Sequence, residues 1–174
     1  QSGNADIIMT GMTTDGTAIQ DTTGFAYGRG GVARTALALG GLEVTVPGGA
    51  LDRDAFITLV PVKTAPEAYK TAANEIELTD RRFRLEPSAM DLKESIHVVF
   101  GNVGEIDGAG VYYMSADGWV FAASVSEDGA VEGLLSRGGA FALGYDRIAP
   151  KLHSLAENES SLTLQLTDDG SGID

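Results

Sequence analysis

Leu42–Leu51, LEVTVPGGAL, and Gly118–Asp146, GWVFAASVSEDGAVEGLLSRGGAFALGYD, decide the fold of this chain. In the first, Leu42, Val44 and Val46 alternate with Glu43 and Thr45 until Pro47-Gly48-Gly49 breaks the run. That is the period-2 pattern of a strand with one buried face, closed by turn residues. The second reads as a strand pair that enters a Gly-rich corner at Gly138-Gly139 and leaves as a last apolar strand.

Working outward, strand signals recur at the spacing of a β-sandwich. Ala5–Met12 and Thr17–Gln20 flank a Thr-Asp-Gly hairpin signal, and Ala55–Val62 is the run richest in β-formers. Pro61 marks the end of that run as an edge or bulge. Glu75–Leu78, Phe83–Leu85, Ser95–Phe100, Gly110–Met114, Trp119–Ser124, Val131–Leu135 and Ala140–Tyr145 follow, each bounded by Gly, Asp, Asn or Pro. Asp117-Gly118 and Asp128-Gly129 are turn dipeptides. A last pair, Lys151–Leu155 and Ser161–Leu166, closes the chain. Val32–Leu39 fits either a helix or an alternating strand, and Glu67–Ala73, entered through Pro66, is the best short helix. No βαβ alternation is present, so a parallel α/β sheet is not expected. The expected core is Val44, Val46, Leu51, Ile57, Leu59, Ile96, Val98, Phe100, Trp119, Phe141 and Leu143, facing inward together.

Composition narrows the class. The 174 residues suit one domain, or one domain plus part of another, with a core that needs no staples. The chain has no Cys, which excludes disulfides, thiolate metal sites and Cys nucleophiles. A net charge of −13 opposes nucleic acid and anionic lipid and suits neutral ligands or cations. No run of 18 apolar residues exists, so no membrane-spanning helix is expected. No signal peptide is visible, and Gln1 in place of Met suggests a processed or excised chain.

Gly41–Asp146 resembles the ZU-type sandwich domain of ankyrins, netrin receptors, zonula-occludens proteins and many bacterial surface proteins. The resemblance rests on VTVPGGALDRDAFITLVPV (Val44–Val62), FRLEPSAMDLKESIHVVF (Phe83–Phe100), and Trp119 through the close at Gly138–Leu143. Tyr145–Asp174 resembles the opening of the immunoglobulin-like repeats of such surface proteins. The resemblance implies an all-β, antiparallel, immunoglobulin-like or ZU-like sandwich, with a small second β unit from the termini. It divides the chain into an N-terminal β segment (1–40), the sandwich (41–146) and a C-terminal hairpin (147–174). It also implies a modular bacterial protein working outside the cytoplasm.

Candidate chemistry is sparse. Tyr112-Tyr113 places one ring on each face of a strand, so Tyr112, Tyr113 and Tyr145 are the candidate ligand-binding aromatics. Trp119 is expected in the core, with a sugar-stacking platform as its alternative. Asp168, Asp169 and Asp174, with Ser171, crowd a Gly-containing loop whose oxygens would suit Ca²⁺, although the spacing is not that of an EF-hand and a plain turn explains it. His97 and His153 are too few for most His-based metal centres. His153-Ser154 lacks the apolar residue of the His-x-Ser self-cleavage pattern found beside some ZU-type domains. Gly28, Gly30 and Ala33 fit G-x-G-x-x-A, but a dinucleotide site also needs a helix and a parallel strand ending in an acid.

The expected function is therefore a non-catalytic spacer or interaction module of an exported multidomain protein. It would need no cofactor, and its partners would be neighbouring domains of the same polypeptide. The alternative is a carbohydrate- or protein-binding module using exposed aromatics. An enzyme is disfavoured because no nucleophile has a recognisable base.

Overall fold

A computed structural model describes residues 2–12, 14–15, 18–63, 76–90, 92–116, 118–122, 124–147, 151–158 and 161–167. These residues form an all-β structure of three antiparallel sheets. The expected helix at 67–73 lies outside the described residues. Among the described residues no helix is long and apolar enough to cross a membrane.

The larger sheet has seven strands. In spatial order they are β1 (Ser2–Met12), β2 (Ala18–Gly30), β5 (Ala55–Pro61), β6 (Glu77–Glu86), β12 (Gly139–Tyr145), β8 (Ala109–Ser115) and β9 (Gly118–Ala122). The smaller sheet has five: β10 (Ser124–Glu127), β11 (Ala130–Leu135), β7 (Ile96–Phe100), β4 (Leu42–Val46) and β3 (Thr35–Leu39). β13 (Lys151–Asn158) and β14 (Ser161–Thr167) pair with each other as a separate two-stranded sheet.

Alternation fixes which side of each strand meets the other sheet. Leu42, Val44 and Val46 of β4 and Ile96, Val98 and Phe100 of β7 are buried in one cluster with Ile57, Leu59, Leu85, Phe141 and Leu143 of the larger sheet. Phe100 crosses the gap to Phe83 and Phe141, with ring centroids 6.0 and 6.2 Å away. Leu51 is partly buried against the same cluster. Trp119 departs from the expected core. It is buried, but in a second cluster with Ile76, Tyr112 and Ala142, on the outer face of the larger sheet. The register explains this. Tyr112 pairs with Phe121 and with Ala142, and Trp119 shares a face with Phe121, whereas the neighbouring Val111 and Phe141 point into the sandwich.

Of Val32–Leu39, residues 32 and 33 are a bend and Thr35–Leu39 forms the strand β3, with Thr35 and Leu37 buried and Ala36 and Ala38 exposed. It joins β4 through Gly40 and Gly41, whose φ angles of 59° and 76° match a two-residue type I′ hairpin. Asp128 and Gly129 make the same kind of turn between β10 and β11, with φ of 50° and 73°.

The N-terminal strands are part of the larger sheet: β2 pairs with β5 from Ala26 to Gly30. Pro61 lies beyond the last β2 partner on β5, so its missing N–H disrupts no ladder bond there. The described residues of β13 and β14 pair with each other and not with β1 or β2. The C-terminal hairpin alone therefore makes the small second unit. The front hairpin is claimed instead by β5.

Candidate functional site: an aromatic face on the large sheet

The outer face of the larger sheet carries a row of aromatic side chains at its β1–β2–β5 end. Ile57 and Leu59 turn inward from β5, which leaves Phe56, Thr58 and Val60 on the outside. Ala26 and Gly28 turn inward from β2, which leaves Phe25, Tyr27 and Arg29 outside. Tyr27 and Phe56 stack with centroids 5.7 Å apart and planes 26° from parallel. Phe25 lies 6.0 Å from Tyr27. Phe56 is 61 % exposed, which is a large apolar surface to leave in water on a flat sheet.

Small residues on the edge strand keep this row open. Gly3 of β1 pairs with Tyr27, and a Cβ there would come within 3.0 Å of the Tyr27 hydroxyl oxygen. The Tyr27 ring therefore fills the space over Gly3.

Polar groups frame the rings. Arg29 is the cross-strand partner of Phe56, and Thr58 is the partner of Tyr27. One strand further, Glu86 pairs with Thr58 and Arg84 with Val60. Arg84 Nη1 lies 3.9 Å from Glu86 Oε1, while Glu86 Oε2 accepts a hydrogen bond of 2.6 Å from the Ser88 N–H. The arrangement can pack a flat apolar ring and offer guanidinium donors at its rim. It does not bring together a nucleophile and a base.

The aromatics singled out from sequence lie elsewhere and do not form one patch. Tyr112 is 0 % exposed, with Phe121 edge-on at 5.7 Å, so it offers no free surface. Tyr113 faces the opposite way, against the sandwich core, and the Arg137 guanidinium lies 5.3 Å from its ring centre. Tyr145 is half-buried, donates its hydroxyl to the Glu105 carbonyl at 3.1 Å, and lies under Arg147 at 4.9 Å. Trp119, being buried, is not the sugar platform that was its alternative.

A forked charge pair lies beside Tyr145. Arg147 forks onto Glu105 with contacts of 2.8 and 3.2 Å. That hydrogen bonding holds the Glu105 carboxyl below its usual range and pushes Arg147 up.

Asp168, Asp169 and Asp174 lie outside the described residues. Among the described residues no three His, Asp or Glu side chains gather as a metal site would require. His97 projects from the smaller sheet, with Nε2 3.0 Å from Glu132 Oε2. Gly28 and Gly30 lie within β2, and the chain runs from Ala33 into an antiparallel strand, so the helix that a phosphate loop needs is not there. Their absent side chains have a packing role instead. A Cβ on Gly28 would touch Leu37 Cδ2 at 3.0 Å, and one on Gly30 would meet Thr35 Cβ at 2.6 Å. β13 changes register between Leu152 and Ser154, which sets a bulge at His153. A cleft of about 420 Å³ opens at one end of the sandwich between Asn4, Glu43 and Asn102, and among the described residues Glu43 is the one ionisable side chain lining it.

The aromatic row was missed because Gly24, Gly28 and Gly30 make β2 look like a broken strand. The usable signal was phase: Phe25, Tyr27 and Arg29 alternate with those glycines, and Phe56 alternates with Ile57 and Leu59. No protein-family model matches the chain, and no curated protein matches it.

Proposed function

We propose that this chain is a non-catalytic structural and interaction module, of the ZU-type, from an exported multidomain bacterial surface protein. The carrying observation is the C-terminal hairpin. Among the described residues β13 and β14 form a sheet of two strands and expose Leu152, Leu164 and Leu166. Two strands are marginal in water by themselves, so this unit acquires stability from strands outside the sandwich. A sandwich followed in the chain by such a hairpin is suited to joining a neighbouring immunoglobulin-like domain. The charge of −13 keeps it soluble and away from nucleic acid.

Hydrogen exchange tests this reading. In the isolated chain, β7 and β12 amides should be protected while β13 and β14 exchange near the unfolded rate. The same hairpin should gain protection when the following domain is fused to it. Protection of β13–β14 equal to that of β7 in the isolated chain would refute the proposal.

The Tyr27–Phe56 stack, half-buried at Tyr27 and exposed at Phe56, favours a second role, as a ligand-binding face on the same module.

A further inference from the structure

We infer that the outer face around Tyr27 and Phe56 binds a saccharide bearing a carboxylate, such as a uronic or sialic acid unit; this rests on the binding-face reading above. Three observations converge on it.

The first is shape. Tyr27 and Phe56 lie only 26° from coplanar, on an open sheet face with no wall over Phe56. A pyranose ring is similarly flat, and its axial C–H groups pack against the negative face of an aromatic ring. A rigid ring also loses less freedom on docking than a flexible peptide does.

The second is charge. Arg29 is exposed and sits directly across from Phe56. Among the described residues its guanidinium makes no ion pair. Arg84, on the far side of β5, has its closest carboxylate oxygen at 3.9 Å, beyond hydrogen-bonding distance. Two guanidinium forks with donors to spare thus flank the rings, in a chain whose net charge is −13. A guanidinium fork matches a planar carboxylate with two parallel hydrogen bonds.

The third is range. The overall negative charge repels a dense polyanion. Screening over about 8 Å at physiological salt lets either guanidinium, acting by itself, govern a single sugar carboxylate in contact with it. An isolated acid on a glycan therefore fits where DNA would not. Glu86 and Thr58, between the rings and Arg84, are placed for sugar hydroxyls.

The test is a glycan array of uronate- and sialate-bearing oligosaccharides beside the same chains lacking the acid, probed with the whole chain and with Arg29→Gln, Arg84→Gln and Phe56→Ala. Phe56 and Arg29 are exposed, so these variants should fold, which circular dichroism checks. Acidic glycans should bind at least about tenfold better than their neutral counterparts. Arg29→Gln should erase that preference, and Phe56→Ala should weaken both kinds. Equal binding of acidic and neutral chains, unchanged by Arg29→Gln, would overturn the carboxylate assignment but keep the binding face. No binding to any glycan, or binding untouched by Phe56→Ala, would overturn both. Displacement of bound glycan by an excess of an acidic peptide at comparable affinity would reassign the face to protein.

Discussion

The Arg81 guanidinium lies 5.2 Å from the centre of the Phe100 ring and ties two turns together over it. Its Nη1 donates to the Gly101 carbonyl at 2.9 Å and its Nη2 to the Gly41 carbonyl at 3.0 Å. Burial lowers its pKa, and neighbouring Asp80 acts in the opposite sense. One side chain from the larger sheet thus pins the β3–β4 turn and the end of β7 in the smaller one.

Arg81→Ala should therefore loosen the sandwich at this end. Losing charge-assisted bonds to two carbonyls should cost about 1–3 kcal/mol, read as a lower midpoint in urea at unchanged slope. Arg81→Lys should recover only part of this, because an ammonium lacks the planar fork.

Trp119 is the only Trp in the chain, and it is buried to 9 % exposure. Its fluorescence should be blue-shifted in the folded protein and move red on unfolding. Trp119→Ala should cost about 3–5 kcal/mol, close to the loss expected for a large buried aromatic. The loss should fall on the outer-face cluster. Amide shifts at Tyr112 and Ala142 should then exceed those at Val44 and Val98. An unaltered melting temperature would place the indole in solvent.

Gly133 of β11 lies against β8 across the sandwich, and a Cβ there would stand 2.7 Å from Val111 Cβ and Cγ2. Backbone-borne atoms cannot step aside as a flexible side-chain tip does. Gly133→Val should force the sheets apart and cost about 1–3 kcal/mol. Gly104→Ala is the control, since nothing lies within 4 Å of its Cβ position. Calorimetry of the two variants should show a large and a negligible shift in Tm respectively.

The Glu105–Arg147 fork sets a pH response with a definite sign. The folded-state pKa of Glu105 is depressed. Its contribution is therefore present above the unfolded-state pKa and is lost as pH falls through the lower, folded value. The carboxyl carbon of Glu105, followed by NMR, should titrate below the ordinary carboxylate range. Arg147→Ala should return it to the ordinary range. A midpoint for Glu105 that ignores the Arg147 substitution would show that the fork does not form in solution.

Much of the sandwich could be read from alternation. Leu42, Val44 and Val46, or Ile96, Val98 and Phe100, each name one face of one strand, and these two faces lie side by side in the smaller sheet and meet Ile57, Leu59, Phe141 and Leu143 of the larger one. Alternation says that two residues share a face, but not which face is the interior. Trp119 shows the consequence, for it is apolar and buried yet turned away from Phe141. The aromatic face was harder to see for a related reason. Phe25, Tyr27 and Phe56 become one row only when β2 pairs with β5, across about thirty residues of chain. The tyrosines adjacent in sequence, Tyr112 and Tyr113, stand on opposite sides of the sheet instead.

β12 is the last strand of the sandwich in the chain, yet it sits inside the larger sheet, between β6 and β8. Its Phe141 and Leu143 complete the interior against both neighbours. A chain emerging from the ribosome can form the hairpins β3–β4, β8–β9 and β10–β11 as they appear, but the larger sheet stays split into two halves until Tyr145 has been made. Throughout that interval the facing edges of β6 and β8 are open templates for any passing strand. The sandwich is therefore most open to aggregation just before β12 is made, and a chaperone that shields those two edges would act at the step that closes the larger sheet.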